Sequence, residues 1–401
     1  MTVQRLLFIS PILAMPSQHG GCVYPYALLD SLHASGVAVD YGWLGAPLQG
    51  GRRLMRNPLT ANYINHGWVR GSRRTGSFLL PGTAAGWLGR KPKPSEERRA
   101  EQEFVARLIR KTRPQAVLVD TTEALPVLDA LTVEERDRLS VGVLTHNLNH
   151  RRTTLYRQYA EPLDFEPMTE SEEIALLRRA DIIVAIQERE AQAFRGMVPD
   201  KTVVTVPIPL VATPLPASLE STRHCVFIGG YSGHNLDGMR WLLGQVWPRV
   251  QAAQPDAVLD VVGTVGQALA APPPGVRVLG PVPDLRAAYS QAQLALVPLR
   301  MGTGLKIKLV EAMAYGRAVV TTSCGAEGFA QVEAGDVAVV RDEPSAYAES
   351  IARLLANPLE RSQVVRRQLV WLQARLAPDT ALAPLLAAWT AALPGLKKWL
   401  R

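Results

Sequence analysis

Short apolar runs alternate along this chain with longer segments that are apolar on one side only. This alternation predicts an α/β fold with mostly parallel strands. The strand segments of the first half are rich in β-branched residues and do not alternate with polar ones, which is typical of strands buried on both faces. The first half is predicted to hold strands at 6–10, 37–41, 116–120, 141–145 and 182–185 and helices at 23–35 and 170–180.

A proline-rich segment, 206–221, separates this half from a second one with the same rhythm. Its prolines fit neither a helix interior nor a central strand, so we interpret it as a linker. At 401 residues the chain suits two domains of about 200 residues each, over 1–205 and 222–380. In the second half we predict a strand from Cys225, a helix capped by Asn235 or Asp237 and running to Val250, a strand at 336–340, a helix at 345–356, and tail helices at 359–376 and 381–400 broken at Pro378, Pro384 and Pro394.

The segment Gly302-Thr303-Gly304-Leu305 opens the most informative helix of the chain. On a helical wheel Leu305, Leu309, Ala312, Met313 and Gly316 form one apolar stripe, and Lys308, Glu311 and Tyr315 lie on the adjoining stripe. Helix N-termini attract anions, and glycines let a ligand approach the backbone. Lys308 is therefore a candidate to neutralise a diphosphate, and Glu311 to accept hydrogen bonds from two vicinal hydroxyls. The alternative is a surface ion pair worth about 0.2–0.5 kcal/mol.

The surroundings of this helix resemble a known family. Three consecutive features carry the resemblance: the GxG loop, the pattern KxxEAMAxG that starts at Lys308, and the run from Val319 to Phe329. Together they are similar to the donor-binding signature of GT-B retaining glycosyltransferases of the glycosyltransferase group 1 (family 4) class. The segments at 226–235, 260–263, 278–282 and 296–299 match strands of that class in order. The resemblance is strong over about 222–330 and mostly architectural over 1–205. It implies two Rossmann-like domains facing each other across a cleft, with the helix at 381–401 packing back on the first domain.

The resemblance also assigns site residues. It implies that Gly229, Gly230, Gly302, Gly304 and Leu305 approach a nucleotide-sugar donor, and that Glu327 is a further donor-site candidate. Where the class often has a glutamate, eight residues before Glu311, this chain has Thr303. The sugar contact of that glutamate would then fall to the Thr303 hydroxyl, to backbone amides, or to no group. The donor sugar is not named by this motif.

Two features of the first half are candidates for the same cleft. His146 directly follows the strand at 141–145, and α/β folds place functional side chains at this carboxyl edge. It is a candidate to contact the transferred sugar, and the resemblance points the same way; Asn149, His150, Arg151 and Arg152 are open alternatives for the acceptor site. The Gly20-Gly21 pair would let backbone approach the donor through Gly21, although a simple turn explains it equally well.

Charge is unevenly distributed. The chain carries a net charge of +8, and residues 50–115 alone hold 15 Lys and Arg against four acidic residues, with Trp68 and Trp87 interleaved. Such a surface suits an anionic membrane or an anionic acceptor such as a glycan or a lipid-linked glycan. A nucleic acid would satisfy the same charge, but we do not expect one as a partner. A solvated insertion with locally paired arginines is the plainer alternative.

Composition disfavours several other classes of protein. Three cysteines, Cys22, Cys225 and Cys324, are widely spaced and odd in number, which disfavours a disulfide framework or a zinc site. No run of about 18 apolar residues predicts a membrane span, and the start of the chain suits a buried strand better than a signal peptide. We therefore expect a cytoplasmic protein, with peripheral contact at the inner membrane face left open.

The expected activity is transfer of a sugar from a nucleotide-diphosphate sugar to an acceptor, with no cofactor. The chain has no G-x-G-x-x-G fingerprint, which lowers an oxidoreductase interpretation. It also has no Asp-x-Asp, so we expect no metal site, with the leaving-group charge held by amides and Lys308. Two rival hypotheses are a GT-B nucleotide-sugar epimerase and a non-catalytic polyanion-binding scaffold.

Overall fold

Two parallel six-stranded sheets organise the protein, one in each half of the chain. The computed structural model describes residues 3–11, 20–44, 94–159, 165–216 and 223–392. Most of the basic stretch at 50–115, with Arg70, Arg73 and Arg74, lies outside the described residues. In the described part of the chain, no helix is long and apolar enough to cross a membrane.

The first sheet has the strand order β2-β1-β3-β4-β5-β6, and its neighbouring strands all run parallel. Strands β3, β4 and β5 are buried along their whole length, as their continuous apolar runs predicted. Leu6 of β1 lies between Val39 of β2 and Ala116 of β3, and this register brings the carboxyl ends of β1, β3 and β4 to one edge. The elements are β1 Arg5–Ser10, α1 Gly20–Ala34, β2 Ala38–Trp43, α2 Pro94–Thr112, β3 Ala116–Asp120, α3 Val133–Asp137, β4 Ser140–Thr145, α4 Asn149–Gln158, α5 Glu170–Leu177, β5 Ile182–Ala185, α6 Glu188–Met197 and β6 Thr202–Thr205.

The second sheet has the order β12-β11-β10-β7-β8-β9, again parallel throughout. The described part of the linker follows the second domain, because Thr213 N donates to Ala314 O and Arg317 donates to Leu215 O. The elements are β7 His224–Ile228, α7 Gly233–Trp241, a wider helical turn Leu242–Val246, α8 Trp247–Ala253, β8 Val258–Val262, β9 Val276–Gly280, α9 Leu285–Gln291, β10 Leu294–Val297, α10 Ile307–Ala314, β11 Ala318–Thr321, α11 Ser323–Ala326, α12 Ala330–Glu333, β12 Val339–Val340, α13 Pro344–Ala356, α14 Pro358–Leu376 and α15 Pro378–Ala392.

The last described helix, α15, crosses back and packs on α1, β5 and β6 of the first domain. The predicted break at Pro384 is wrong, because Pro384 lies inside this helix. A proline costs about 3 kcal/mol in a helix interior. Burial of Leu382, Leu385 and Trp389 in the core offsets that cost.

The helix after β7 also departs from the prediction. Ser232 is its N-cap residue, and the proposed caps Asn235 and Asp237 lie within the helix as buried residues. The side chain of Asn235 turns back instead, and its Nδ2 donates to Gly230 O at 3.0 Å. The predicted strand at 336–340 forms only at Val339–Val340.

Candidate active site

Three adjacent strands of the first sheet end in polar residues that contact one another. Ser10 at the end of β1 donates to Asp120 Oδ2 at 2.5 Å, and Asp120 at the end of β3 lies 2.5 Å from His146 Nε2 through its other oxygen. Asp120 is 0% exposed. The next residue, Thr121, has φ 73°, a conformation that L residues rarely adopt and that marks strain at this edge.

Asp120 determines the protonation of the histidine. Burial alone lowers the pKa of His146, but the charge and hydrogen bond of Asp120, with contributions from Glu123 and Glu190, leave that pKa above its ordinary value. The ring is thus held in a fixed orientation beside a compensating carboxylate. Ser10 and Asp120 were not singled out in the sequence; the available signal was a buried acidic residue at the end of a predicted strand.

The glycine-rich loop of the second domain precedes α10. Gly302 has φ 130° and Gly304 has φ 74°, conformations that favour glycine. The helix begins at Ile307, two residues later than Leu305, and Lys306 is its N-cap residue. Four members of the predicted apolar stripe, Leu305, Leu309, Ala312 and Met313, are buried in the core, whereas Gly316 is half-buried and lies beyond the end of the helix.

Lys308 lies in the first turn of α10 with its ammonium group turned into the second domain. Its Nζ donates to the side-chain oxygen of Asn235 and lies 5.0 Å from the centre of the Phe227 ring. The pKa of Lys308 is lowered to about 7, mainly by burial, with the charge of Glu311 opposing this shift and the charge of Lys306 adding to it. Among the described residues, no carboxylate forms an ion pair with it. Within the described part of the chain, this ammonium group therefore pairs with an amide and not with an anion.

Glu311 lies one turn further along α10. Its Oε2 accepts a hydrogen bond from the buried Tyr289 hydroxyl at 3.0 Å, and the Tyr289 and Tyr315 rings stack with centres 4.9 Å apart. Burial raises the pKa of Glu311 to about 7, against the opposing effects of Tyr289 and Lys308. The alternative of an exposed Lys308–Glu311 ion pair is wrong, because both groups are partly buried and bind different partners.

The turn after β7 borders the same region. Gly229 N donates to Val262 O, and Gly230 O accepts from Asn235, which joins this turn to Lys308. His234, which the sequence did not single out, lies 3.0 Å from the Tyr156 hydroxyl of the first domain. Burial lowers the pKa of His234 to about 3, and the charges of Lys308, Lys306 and Arg152 contribute to that shift. The ring is neutral in a region of positive potential.

Glu327 lies where the two domains meet. Its carboxylate is 3.2 Å from Arg189 and 3.8 Å from Arg151 of the first domain, and 3.5 Å from Lys306 of its own domain. The structure thus surrounds this predicted donor-site residue with three cations. Its contact with a donor stays a prediction.

The remaining predicted site residues of the first domain lie at the starts of two helices, α1 and α4. The backbone of Gly21 lies in the first turn of α1. The amides of Asn149 and His150 at the start of α4 both donate to the buried Glu173, which also contacts the His150 ring at 2.6 Å. Their roles toward a donor or an acceptor stay predictions.

The fold and the second domain have known relatives. Residues 222–357 match the family model described as glycosyl transferases group 1. No curated protein sequence matches the chain significantly. Among solved structures, TarM superimposes with a TM-score of 0.70 at 10% identity over 97% of this chain and 99% of its own. A further solved structure is a mutant of S. aureus TarM in complex with fondaparinux, alpha-GlcNAc-glycerol and UDP. It superimposes with a TM-score of 0.60 at 11% identity, over 73% of this chain and 59% of its own.

Two further structures share the fold. Anabaena HepE in complex with UDP gives a TM-score of 0.66 at 13% identity over 96% of this chain and 100% of its own. Sucrose-phosphate synthase from Thermosynechococcus elongatus superimposes with a TM-score of 0.61 at 18% identity, over 99% of this chain and 98% of its own. The two parallel six-stranded sheets and these superpositions show that the protein has the GT-B fold. The match to the glycosyl transferases group 1 model covers the second domain, about a third of the chain.

Proposed function

We propose that this protein transfers a sugar from a nucleotide-diphosphate sugar to an acceptor hydroxyl, with retention and without a metal ion. The observation that carries the proposal is the Lys308 ammonium group, which is partly buried beside a glycine loop and has no carboxylate partner among the described residues. Leaving such a cation without an anion is costly, and a diphosphate supplies the missing charge. UDP in the TarM mutant and HepE structures is compatible with this donor class.

The proposed roles are as follows, each supported by a contact described above. The backbone amides of Gly302 and Thr303, together with Lys308, hold the diphosphate and neutralise its charge as the bond from the anomeric carbon to the phosphate oxygen breaks. Glu311 accepts hydrogen bonds from the two ribose hydroxyls. His146, paired with Asp120, contacts the sugar without adding an uncompensated cation. The acceptor oxygen bonds to the anomeric carbon, and its proton leaves with the nucleotide diphosphate.

Retention follows from the family resemblance, and metal independence from the charge that Lys308 and the loop amides supply. The acceptor is proposed to be a glycan, a lipid-linked glycan or another anionic molecule, because of the 15-to-4 excess of cations over residues 50–115. That stretch also motivates the proposal of peripheral contact with an anionic membrane.

A thermal-shift screen of UDP, GDP, ADP and dTDP and their sugar esters tests the proposal. A ligand at 100 times its Kd adds about 2.7 kcal/mol of stability, which is several degrees in Tm. We expect one nucleotide series to stabilise the protein, and product analysis to show sugar transfer only when an acceptor is present. A changed nucleotide sugar without acceptor would indicate an epimerase. Salt-sensitive polyanion binding with no nucleotide effect would indicate a scaffold.

A further inference from the structure

A buried carboxylate of the first domain binds the glycine loop of the second. Glu190, in the first turn of α6, is 2% exposed, and its Oε1 accepts a hydrogen bond from Gly304 N at 3.0 Å across the domain boundary. The other carboxylate oxygen, Oε2, is buried. Burying a carboxylate is costly unless it is hydrogen-bonded, and the hydrogen bond from Gly304 N offsets part of that cost while it joins the two domains.

Both backbone groups of Gly304 are engaged at this point. Its N–H donates to Glu190, and its carbonyl accepts from Lys306 Nζ at 2.8 Å. A side chain at Gly304 would overlap the carbonyl oxygen of His146 and would come within 2.9 Å of Asn147 Oδ1. The loop therefore packs directly on the backbone of His146, and only glycine allows this approach.

A second contact runs beside the first. The Thr303 hydroxyl donates to Asn147 Oδ1 at 3.0 Å. Two consecutive loop residues are thus fixed to groups of the first domain, on and near the segment that carries His146. Thr303, which stands where the related class often has a glutamate, is used here as a contact between domains.

The buried position of Glu190 changes the pKa of its carboxyl group. Burial raises the pKa of Glu190 to about 7, while the nearby Gln187 side chain, the charge of Lys306 and the amides of Gly304 and Leu148 act in the opposite direction. An oxygen acceptor for Gly304 N is present whether the group is ionised or protonated. The hydrogen bond does not require the negative charge.

We propose that Glu190 is a positioning residue: it holds the Gly302–Gly304 loop against the backbone of His146, so that the donor diphosphate and the histidine are aligned by one contact. This inference rests on the proposed function, because the loop is taken as the diphosphate site. The diphosphate is bound mainly by second-domain groups, whereas its alignment with His146 depends on the contact between domains. Loss of the contact should therefore affect turnover more than nucleotide affinity.

The test compares Glu190→Leu, Glu190→Gln and a control, Glu188→Gln, on the same helix. Glu188 pairs with Arg195 on the outside of α6 and does not contact the loop. For each protein, calorimetry measures the affinity for whichever of UDP, GDP or ADP binds the parent, and donor turnover gives kcat. We expect Glu190→Leu to lose about tenfold in kcat, the size of one ordinary hydrogen bond, with nucleotide affinity within threefold.

The amide oxygen of Glu190→Gln replaces the acceptor, so this variant and the control should stay within about threefold of the parent. Parent-like kcat in Glu190→Leu would overturn the proposal. Equal losses in Glu190→Leu and Glu190→Gln would also overturn it, because they would show that the charge acts. If Glu190→Leu fails to fold, Asn147→Ala removes the second contact and should show the same split of kcat from affinity; unchanged kcat there would count against the inference. A parent that binds no nucleotide diphosphate would instead contradict the proposed function.

Discussion

Replacing Lys308 with methionine tests how the donor is held. Methionine keeps an unbranched chain that can pack near Phe227, but it removes the ammonium group that donates to Asn235. We expect Lys308→Met to fold, because burying an uncompensated cation is itself a cost that the variant no longer carries. We expect its affinity for a nucleotide diphosphate to fall.

The size of the loss follows from the environment of the lysine. Lowering the pKa of Lys308 from 10.5 to about 7 corresponds to about 5 kcal/mol of unfavourable burial, an upper limit to what a bound anion can recover. The side chain is only partly buried, so solvent screening reduces this amount. A charge-assisted contact contributes about 1.5–3 kcal/mol, which predicts roughly a 10- to 150-fold weaker Kd.

The pH dependence gives a second readout. In the free protein Lys308 loses its proton as pH rises through about 7, and a bound diphosphate raises its pKa again. Below pH 7 the lysine is already charged, so its contribution to affinity is constant. Above pH 7 binding must take up a proton, so the parent's affinity should fall with rising pH. The phosphate titrates in both proteins, so the difference between parent and Lys308→Met reports the lysine together with the rise that its loss causes in the pKa of Glu311.

Isothermal titration calorimetry at pH 6, 7 and 8 measures both effects, with buffers of different ionisation enthalpy to count protons. The exposed Lys111 at the end of α2 provides a matched control, Lys111→Met, which should bind like the parent. A Lys308→Met variant that binds as tightly as the parent would refute the role assigned to the lysine. That role is also refuted if parent and variant show the same change of affinity between pH 6 and pH 8.

Further predictions concern the ribose, the histidine, the metal and the basic stretch. Glu311→Gln should weaken nucleotide binding about tenfold by calorimetry without lowering Tm, and unchanged affinity would remove Glu311 from the site. Asp120→Asn should lower the pKa of the adjacent histidine in an NMR titration, because the variant loses the carboxylate charge; an unmoved pKa would contradict its assigned cause. Turnover should persist in excess EDTA, and a complete, magnesium-reversible loss would show that the phosphate is held differently. Neutralising Arg70, Arg73 and Arg74 together should weaken binding to anionic liposomes or to the acceptor at low salt and leave nucleotide affinity unchanged, whereas parent-like binding across a salt series would mark a solvated insertion.

Much of the fold was predictable because buried strands have an unmistakable composition. The strands at Ala116–Asp120 and Ile182–Ala185 have the predicted bounds, and the apolar stripe of α10 is buried as its spacing required. Pro384 was misjudged because a proline's local cost says nothing about the apolar surface that its helix buries.

The candidate site was only partly predictable. Lys308 and Glu311 share one short helix, so their spacing alone brought them together. Ser10, Asp120 and His146 meet only through the strand order β1-β3-β4, which no local pattern encodes. In the sequence, Glu190 resembles an ordinary polar residue of an amphipathic helix. Its contact with Gly304 depends on how the two domains pack, which no local pattern encodes.

The most direct test of the central claim is a calorimetric titration of the parent protein with UDP, GDP, ADP and dTDP, each against its nucleoside. The account predicts that at least one diphosphate binds with a stoichiometry of one, and that its nucleoside, which lacks the charge that Lys308 and the Gly302–Gly304 loop are proposed to hold, binds about 100-fold more weakly. Failure of all four diphosphates to bind, or a nucleoside that binds as tightly as its diphosphate, would contradict it.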